Sequence, residues 1–188
     1  MSHWDNETTE WYAETFGEYA TNSLTIDALA LKEDTVLVDI GCGTGSALRY
    51  ASKTVTSGRL IGLDPTARML EIARERLEGH PQAGRIELYQ APAQELPLDD
   101  NSADVVMALD SFDHWGDNRE QGLKEVRRVL RSQGQFVLIK DQSAPLFGST
   151  REIQEALLQE AGFVQLEERL IEQDDVAFVL WRFSPNKP

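Results

Sequence analysis

Cysteine is almost missing from this chain: Cys42 stands alone among 188 residues, so no internal disulfide can form and a thiolate zinc centre is excluded. Such usage agrees with a reducing compartment. No His/Cys/Asp cluster has metal-ligand spacing either, so no metal is expected. Basic residues are scarce, with 18 Lys and Arg against 32 Asp and Glu. The formal charge of -14 repels the phosphate backbone that nucleic-acid binders neutralise, and no DNA or RNA partner is expected. No apolar run approaches the roughly 20 residues that span a bilayer, and the opening MSHWDNETTEWY lacks the basic start and apolar core of a signal peptide. The expectation is a cytoplasmic protein without a membrane partner. Repeats, low-complexity tracts and Pro/Gly/Ser linkers are absent too, so one domain is expected.

What remains is an alternation. Apolar runs at residues 36–40, 59–63, 86–90, 104–109 and 135–140 suit parallel strands buried on both faces. Between them, Met69, Ala73 and Leu77 share one face of a helix over residues 66–78, and Leu123, Val126 and Leu130 one face of a helix over 117–131. Ile153, Ala156 and Leu157 stripe a further helix that stops at Gly162, a C-terminal cap. Two strand-like stretches follow, 164–171 and 176–183, and the short polar break between them can join only antiparallel neighbours. The predicted fold is α/β: a Rossmann-like three-layer sandwich with a mostly parallel seven-stranded sheet and a C-terminal antiparallel hairpin. Its parts are an N-terminal aromatic segment over 1–30, a core over 35–142 and a helix with hairpin over 149–184. Trp4, Trp11, Tyr12, Phe16 and Tyr19 recur at nearly helical spacing, either as a face packed on the domain or as a lid over the site.

The chemistry concentrates in VLVDIGCGTGS, residues 36–46, where a strand runs into Gly41, Gly43 and Gly45 and then into a helix. Glycine there permits backbone angles closed to other residues and lets a ligand approach the main chain at the N–H groups of the next helix. A dinucleotide fingerprint would place glycine at position 46, where this chain has Ser46, so NAD is less favoured. Asp64, after the second strand, can accept hydrogen bonds from ribose hydroxyls. It can equally cap a helix starting at Pro65. Cys42, inside the loop, reads as a small packed residue rather than a nucleophile.

These motifs resemble those of the class I S-adenosylmethionine-dependent methyltransferases, especially the compact group acting mostly on small molecules. VLVDIGCGTG is similar to the family's first motif, IGLDPTARMLEIARERL to its second, ELPLDDNSADVVMALDSFDHW to the segment around its fourth strand, and LKEVRRVLRSQGQFVLIKD to the helix, turn and fifth strand that follow. The resemblance implies that Asp39 and the glycine loop hold the methionine part of S-adenosylmethionine and that Asp64 holds its ribose. It further implies that Pro65 and Leu96 wall the adenine, that the Ala93 N–H serves the adenine ring, and that Asp110 lies where cofactor and substrate meet. Asp39 also suits a cofactor carrying two cationic groups. A plainer role for it is bonding loop N–H groups. Turn geometry for Pro65 and core packing for Leu96 are equally ordinary.

The chain departs from the family at Pro92, where an acidic residue usually accepts from the adenine amino group. It departs again at Ser132-Gln133-Gly134, where Pro-Gly-Gly is usual and Gly134 keeps the turn residue. For a hydroxyl or ammonium acceptor a base is needed, and Asp110, Asp113 and His114 are the candidates. The loop over 143–149 is short for a substrate lid. The expected function is methyl transfer to a small organic acceptor. A cofactor-binding module without catalysis and a nicotinamide oxidoreductase are the alternatives.

Overall fold

The computed structural model of the chain describes residues 4–141 and 151–186. Two helices, α1 (Asn6–Phe16) and α2 (Ala20–Leu29), precede an alternation of β1 (Val36–Ile40), α3 (Ser46–Ala51), β2 (Arg59–Asp64), α4 (Ala67–Leu77), β3 (Ile86–Gln90), β4 (Ala103–Leu109), α5 (Arg119–Val129) and β5 (Leu130–Asp141). The chain closes with α6 (Arg151–Glu160), β6 (Phe163–Gln173) and β7 (Val176–Pro185). The seven strands lie in the order β3-β2-β1-β4-β5-β7-β6, with β7 antiparallel to both β5 and β6 and the other pairings parallel. The expected sheet and its terminal hairpin are therefore present.

One face of the sheet packs under α5 and α6 through Val38, Ile61, Val106, Phe136, Leu123, Val126 and Leu158. The other packs under α2, α3 and α4 through Leu37, Leu60, Met107, Ile26, Leu48 and Leu70. Both faces being covered explains why the strands read as unbroken apolar runs rather than as alternation. After β3 the chain crosses back to lay β4 on the far side of β1, so the connections leave β1 and β4 in opposite directions. The crevice at such a reversal is where open α/β sheets bind ligands.

Several local expectations need correction. The helix after Asp64 starts at Ala67 with Thr66 as its N-cap, so Pro65 precedes the helix instead of opening it. Leu130 and Arg131 belong to β5, because residues 131–134 form an irregularity between the pairs Ala103–Leu130 and Val105–Gln135. Gly134 does not adopt a positive φ; it is small because an added Cβ would lie 2.9 Å from Leu130 and 3.1 Å from the Ala103 carbonyl. On α6, Ala156 is exposed and Leu158 is the buried residue; the Ile153 side chain lies outside the described residues, as does the loop over 143–149. On α1 the inward face is Thr9, Tyr12 and Ala13, while Trp11 is 56% exposed. Gly162 ends α6 at φ +81 as expected. Among the described residues no helix is long and apolar enough to cross a membrane.

Candidate active site

The glycine loop turns back immediately after β1. The Gly41 and Cys42 N–H groups both donate to the Leu63 carbonyl, at 2.7 and 3.0 Å, which ties the loop to the end of β2. Gly41 adopts φ +76, and a Cβ there would lie 2.4 Å from Cβ of Ser111. Close approach and backbone angle thus both demand glycine. Ser111 in turn donates its hydroxyl to the Ile40 carbonyl, joining the ends of β1 and β4. Gly43, at φ +53, differs: an added Cβ would meet nothing within 4 Å among the described residues, which leaves that stretch of main chain open to a ligand. Gly45 caps α3. Cys42 is buried over Gly62, and burial pushes its thiol well up, which makes it an inert packing residue.

Two carboxylates flank the loop. Asp64 accepts from the Gly43 N–H at 3.2 Å and from the Thr66 N–H at 2.8 Å, so it braces the loop and the approach to α4 together. Burial raises its pKa against the lowering effect of those donors. Asp39 is 2% exposed, and its Oδ1 has no hydrogen-bond partner among the described residues. Burial, and then the charge of Asp64, push Asp39 up to about 8. The alternative role for Asp39, bonding loop N–H groups through this oxygen, is not what the structure contains.

The ends of β4 and β5 supply the rest. Asp110 takes a left-handed backbone conformation, φ +49, immediately after β4, and its Oδ1 accepts from the Asp141 N–H at 2.8 Å. Burial pushes it up to about 6, against the lowering effects of that N–H and of Lys140. Asp113 is buried in an ion pair with Lys140 at 2.9 Å. His114 keeps one side exposed and meets Trp4 edge to face, with ring centroids 6.0 Å apart; partial burial and then the Lys140 charge draw its pKa down. Trp4 also stacks edge-on with Tyr12 at 5.0 Å. Burial, then the charges of Asp110 and Asp64, push the Tyr12 phenol up to about 12.

Asp39, Gly41, Gly43, Gly45, Asp64 and Asp110 are thus gathered at the C-terminal ends of β1, β2 and β4. The segment after β3 joins them through the Ala91 N–H, which donates to the Asp64 carbonyl at 3.3 Å. Ala93 and Leu96 on that segment are buried, and Leu96 lies in the main core with its N–H donating to Glu125 at 2.9 Å. Sequence reasoning named Tyr12 only among the N-terminal aromatics of a possible lid and did not single out Lys140 as a site residue. Tyr12 sits one position from the more conspicuous Trp11, and Lys140 is the last cation of an apolar strand, a place where a charge needs a partner. A shallow hollow of about 380 Å³ lined by Arg74, Leu77, Gly79 and Ile86 lies at the other end of β3, away from these groups.

Residues 38–138, from β1 to β5, match the family model described as a methyltransferase domain. A ubiquinone/menaquinone biosynthesis C-methyltransferase from Citrifermentans bemidjiense is 36% identical over 105 residues, 55% of this chain. The matched stretch spans 44% of that relative's length. Among solved structures, a SAM-dependent methyltransferase from Aquifex aeolicus has a TM-score of 0.76 at 20% identity, covering 96% of this chain and 99% of that one. The mitomycin 7-O-methyltransferase MmcR gives a TM-score of 0.78 at 20% identity, covering 97% of this chain and 59% of its own. Those two likenesses are of fold, whereas the family model spans more than half of the chain and includes the glycine loop, both loop carboxylates and Asp110. The chain belongs to the methyltransferase-domain family, within the class I S-adenosylmethionine-dependent methyltransferases.

Proposed function

We propose that this chain, in the cytoplasm, transfers a methyl group from S-adenosylmethionine to a small organic acceptor. Asp39 carries the reading: a buried carboxylate oxygen beside the glycine loop has no partner among the described residues, and the ammonium group of the cofactor's methionine part would be one. The open face of Gly43 fits the same ligand. Asp64 uses one lone pair of each oxygen on backbone N–H groups, which leaves acceptor capacity for ribose hydroxyls. Pro65, Leu96 and the Ala93 N–H are assigned to the adenine.

When bound, the cofactor supplies an electrophilic methyl group on a sulfonium sulfur. The protein's own task is alignment, which can account for much of the acceleration. Asp110, held by the Asp141 N–H, would take the proton from a hydroxyl or ammonium acceptor, and its elevated pKa of about 6, closer to the working range of a base, supports that role. His114 is the second candidate, with its pKa drawn downward so that the neutral imidazole prevails at pH 7. Asp113 is committed to Lys140 and is not assigned a proton-transfer role. The rings of Trp4, Tyr12 and His114, with a relative named as a ubiquinone/menaquinone biosynthesis C-methyltransferase, favour an apolar or aromatic acceptor. The net charge of -14 speaks against nucleic acid as the acceptor.

Calorimetric titration with S-adenosylmethionine and S-adenosylhomocysteine, for wild type and Asp64→Ala, tests the reading. Saturable binding that the substitution weakens at least about tenfold supports it, and turnover with an aromatic acceptor panel completes it. A folded wild-type protein that binds neither ligand overturns it. Binding with no turnover on any acceptor supports the cofactor-binding module instead, a reading that Pro92 favours.

A further inference from the structure

We infer that Glu18 is a positioning residue that couples cofactor binding to the docking of α1, an inference that rests on the cofactor reading above. The connector between α1 and α2 is seated on the glycine loop itself. The Thr44 hydroxyl donates to the Gly17 carbonyl at 2.8 Å, and the Ser46 hydroxyl donates to Glu18 Oε2 at 3.0 Å. The fit allows no side chain at Gly17, where a Cβ would lie 2.3 Å from the Ala13 carbonyl and 2.9 Å from Thr44 Cγ2.

Glu18 gathers two further donors. Arg49 of α3 and Arg76 of α4 both reach Oε1, the latter at 2.8 Å. Each arginine has a second engagement on one side of the junction: Arg49 donates to the Thr44 carbonyl at 2.7 Å, and Arg76 to the Ala13 carbonyl at 2.8 Å. One carboxylate therefore ties together the loop, the first residue of α3, the body of α4 and the last turn of α1. Ser46 is also where the chain departs from the dinucleotide fingerprint, and glycine at that position would delete the tether.

The rest of α1 is lightly held. It packs on α4 through a small separate cluster of Ala13, Met69, Ile72 and Tyr12, with an exposed Arg68–Glu10 pair beside it. The next helix, α2, is anchored by Ile26 and Leu29 in the core on the α3 and α4 face of the sheet. A segment with few buried apolar contacts opens at low free energy. Tyr12 rides on this segment, with Trp4 edge-on against its ring and against that of His114. A ligand that fixes residues 43–46 also fixes Thr44 and Ser46, and through them Gly17, Glu18 and α1. By linkage, a docked α1 strengthens ligand binding by the same factor.

Hydrogen exchange of the full chain, with and without S-adenosylhomocysteine, tests the coupling in wild type, Glu18→Ala, Glu18→Gln and Ser46→Ala. In wild type the ligand should slow exchange in α1 by roughly fivefold or more, at the lower end of usual coupling factors. In Glu18→Ala the core strands keep their protection, the ligand binds weaker by about the same factor, and the added protection of α1 disappears. Glu18→Gln, which keeps one acceptor oxygen, falls between, and Ser46→Ala adds nothing to the Glu18→Ala loss when the two are combined. Wild type that binds the ligand without any change in α1 overturns the inference while leaving the cofactor reading intact. So does a Glu18→Ala variant whose α1 still responds fully. Failure of wild type to bind the ligand removes the cofactor reading, and this inference falls with it.

Discussion

Asp39 and Asp64 are buried carboxylates on adjacent parallel strands beside one glycine loop, yet Asp64 has two backbone donors while Asp39 Oδ1 has none among the described residues. The unsupported member is the one pushed up to about 8. In the ligand-free protein Asp39 is therefore mostly protonated at neutral pH, whereas pairing with an ammonium group needs the carboxylate. Binding then expels a proton. Affinity for S-adenosylhomocysteine should rise with pH between about 6 and 8, at up to about tenfold per unit, and calorimetry in buffers of different ionisation enthalpy should register the released proton. Asp39→Asn should flatten the pH slope and weaken binding throughout; a slope that survives in the variant would place the titration elsewhere.

The same carboxylate bears on stability, with the sign opposite to that of a salt-bridged acid. Its folded pKa lies above its unfolded value, so between about pH 4 and pH 8 the native state binds more protons, and stability falls as pH rises through that window. Asp39→Asn should raise Tm of the ligand-free protein at pH 8 by about 2–4 °C for each kcal/mol of relief, with a smaller gain at pH 5. Thermal unfolding at the two pH values checks this.

Gly41 and Gly43 separate folding from binding. Gly41→Ala forces a Cβ against Ser111 at a positive φ, so it should destabilise the fold by at least about 2 kcal/mol through the Ser111 bridge between β1 and β4. Gly43→Ala meets nothing within 4 Å among the described residues and should cost only about 1 kcal/mol for the backbone angle. Its effect should fall on the ligand instead, with cofactor affinity reduced at least about tenfold in a protein that unfolds near the wild-type urea midpoint.

Lys140 and Asp113 form a buried pair at the end of β5, with side chains 13% and 2% exposed. Removing only the cation, as in Lys140→Ala, should cost about 3 kcal/mol in urea unfolding, because the buried Asp113 loses its ion pair with Lys140. Lys140→Met combined with Asp113→Leu should recover most of that loss. The Lys140 charge also holds His114 down, so Lys140→Met alone should raise the His114 pKa in an NMR titration.

How much of this was legible in the sequence follows from the range of each interaction. The spans of β1 and β3, the glycine loop and the Gly162 cap are set by nearest neighbours, and their patterns identify them directly. Trp11 misled because helical spacing reports a face without saying which face the domain covers; here the smaller Thr9 and Ala13 are buried. The long span of β5 was hidden because residues 131–134 carry polar turn chemistry while remaining between two paired stretches. Glu18 with Ser46 and Arg76, and Lys140 with Asp113, connect residues 27 to 58 positions apart, beyond the reach of local periodicity.

Pro92 offers the sharpest separation between a weakened cofactor site and a lost one. The residue is exposed between buried Ala91 and Ala93, and its carbonyl accepts from the Glu95 N–H at 3.2 Å. Aspartate at this position keeps that carbonyl, adds an N–H that solvent can satisfy, and places a carboxylate where the family usually has one. Pro92→Asp should therefore fold normally and bind S-adenosylmethionine more tightly by about 1–2 kcal/mol, roughly five- to thirtyfold, through a charge-assisted bond from the adenine amino group. The gain should vanish for an analogue in which that amino group is replaced by hydrogen. Equal tightening of both ligands would mean that the substitution acts through the loop and not through the adenine.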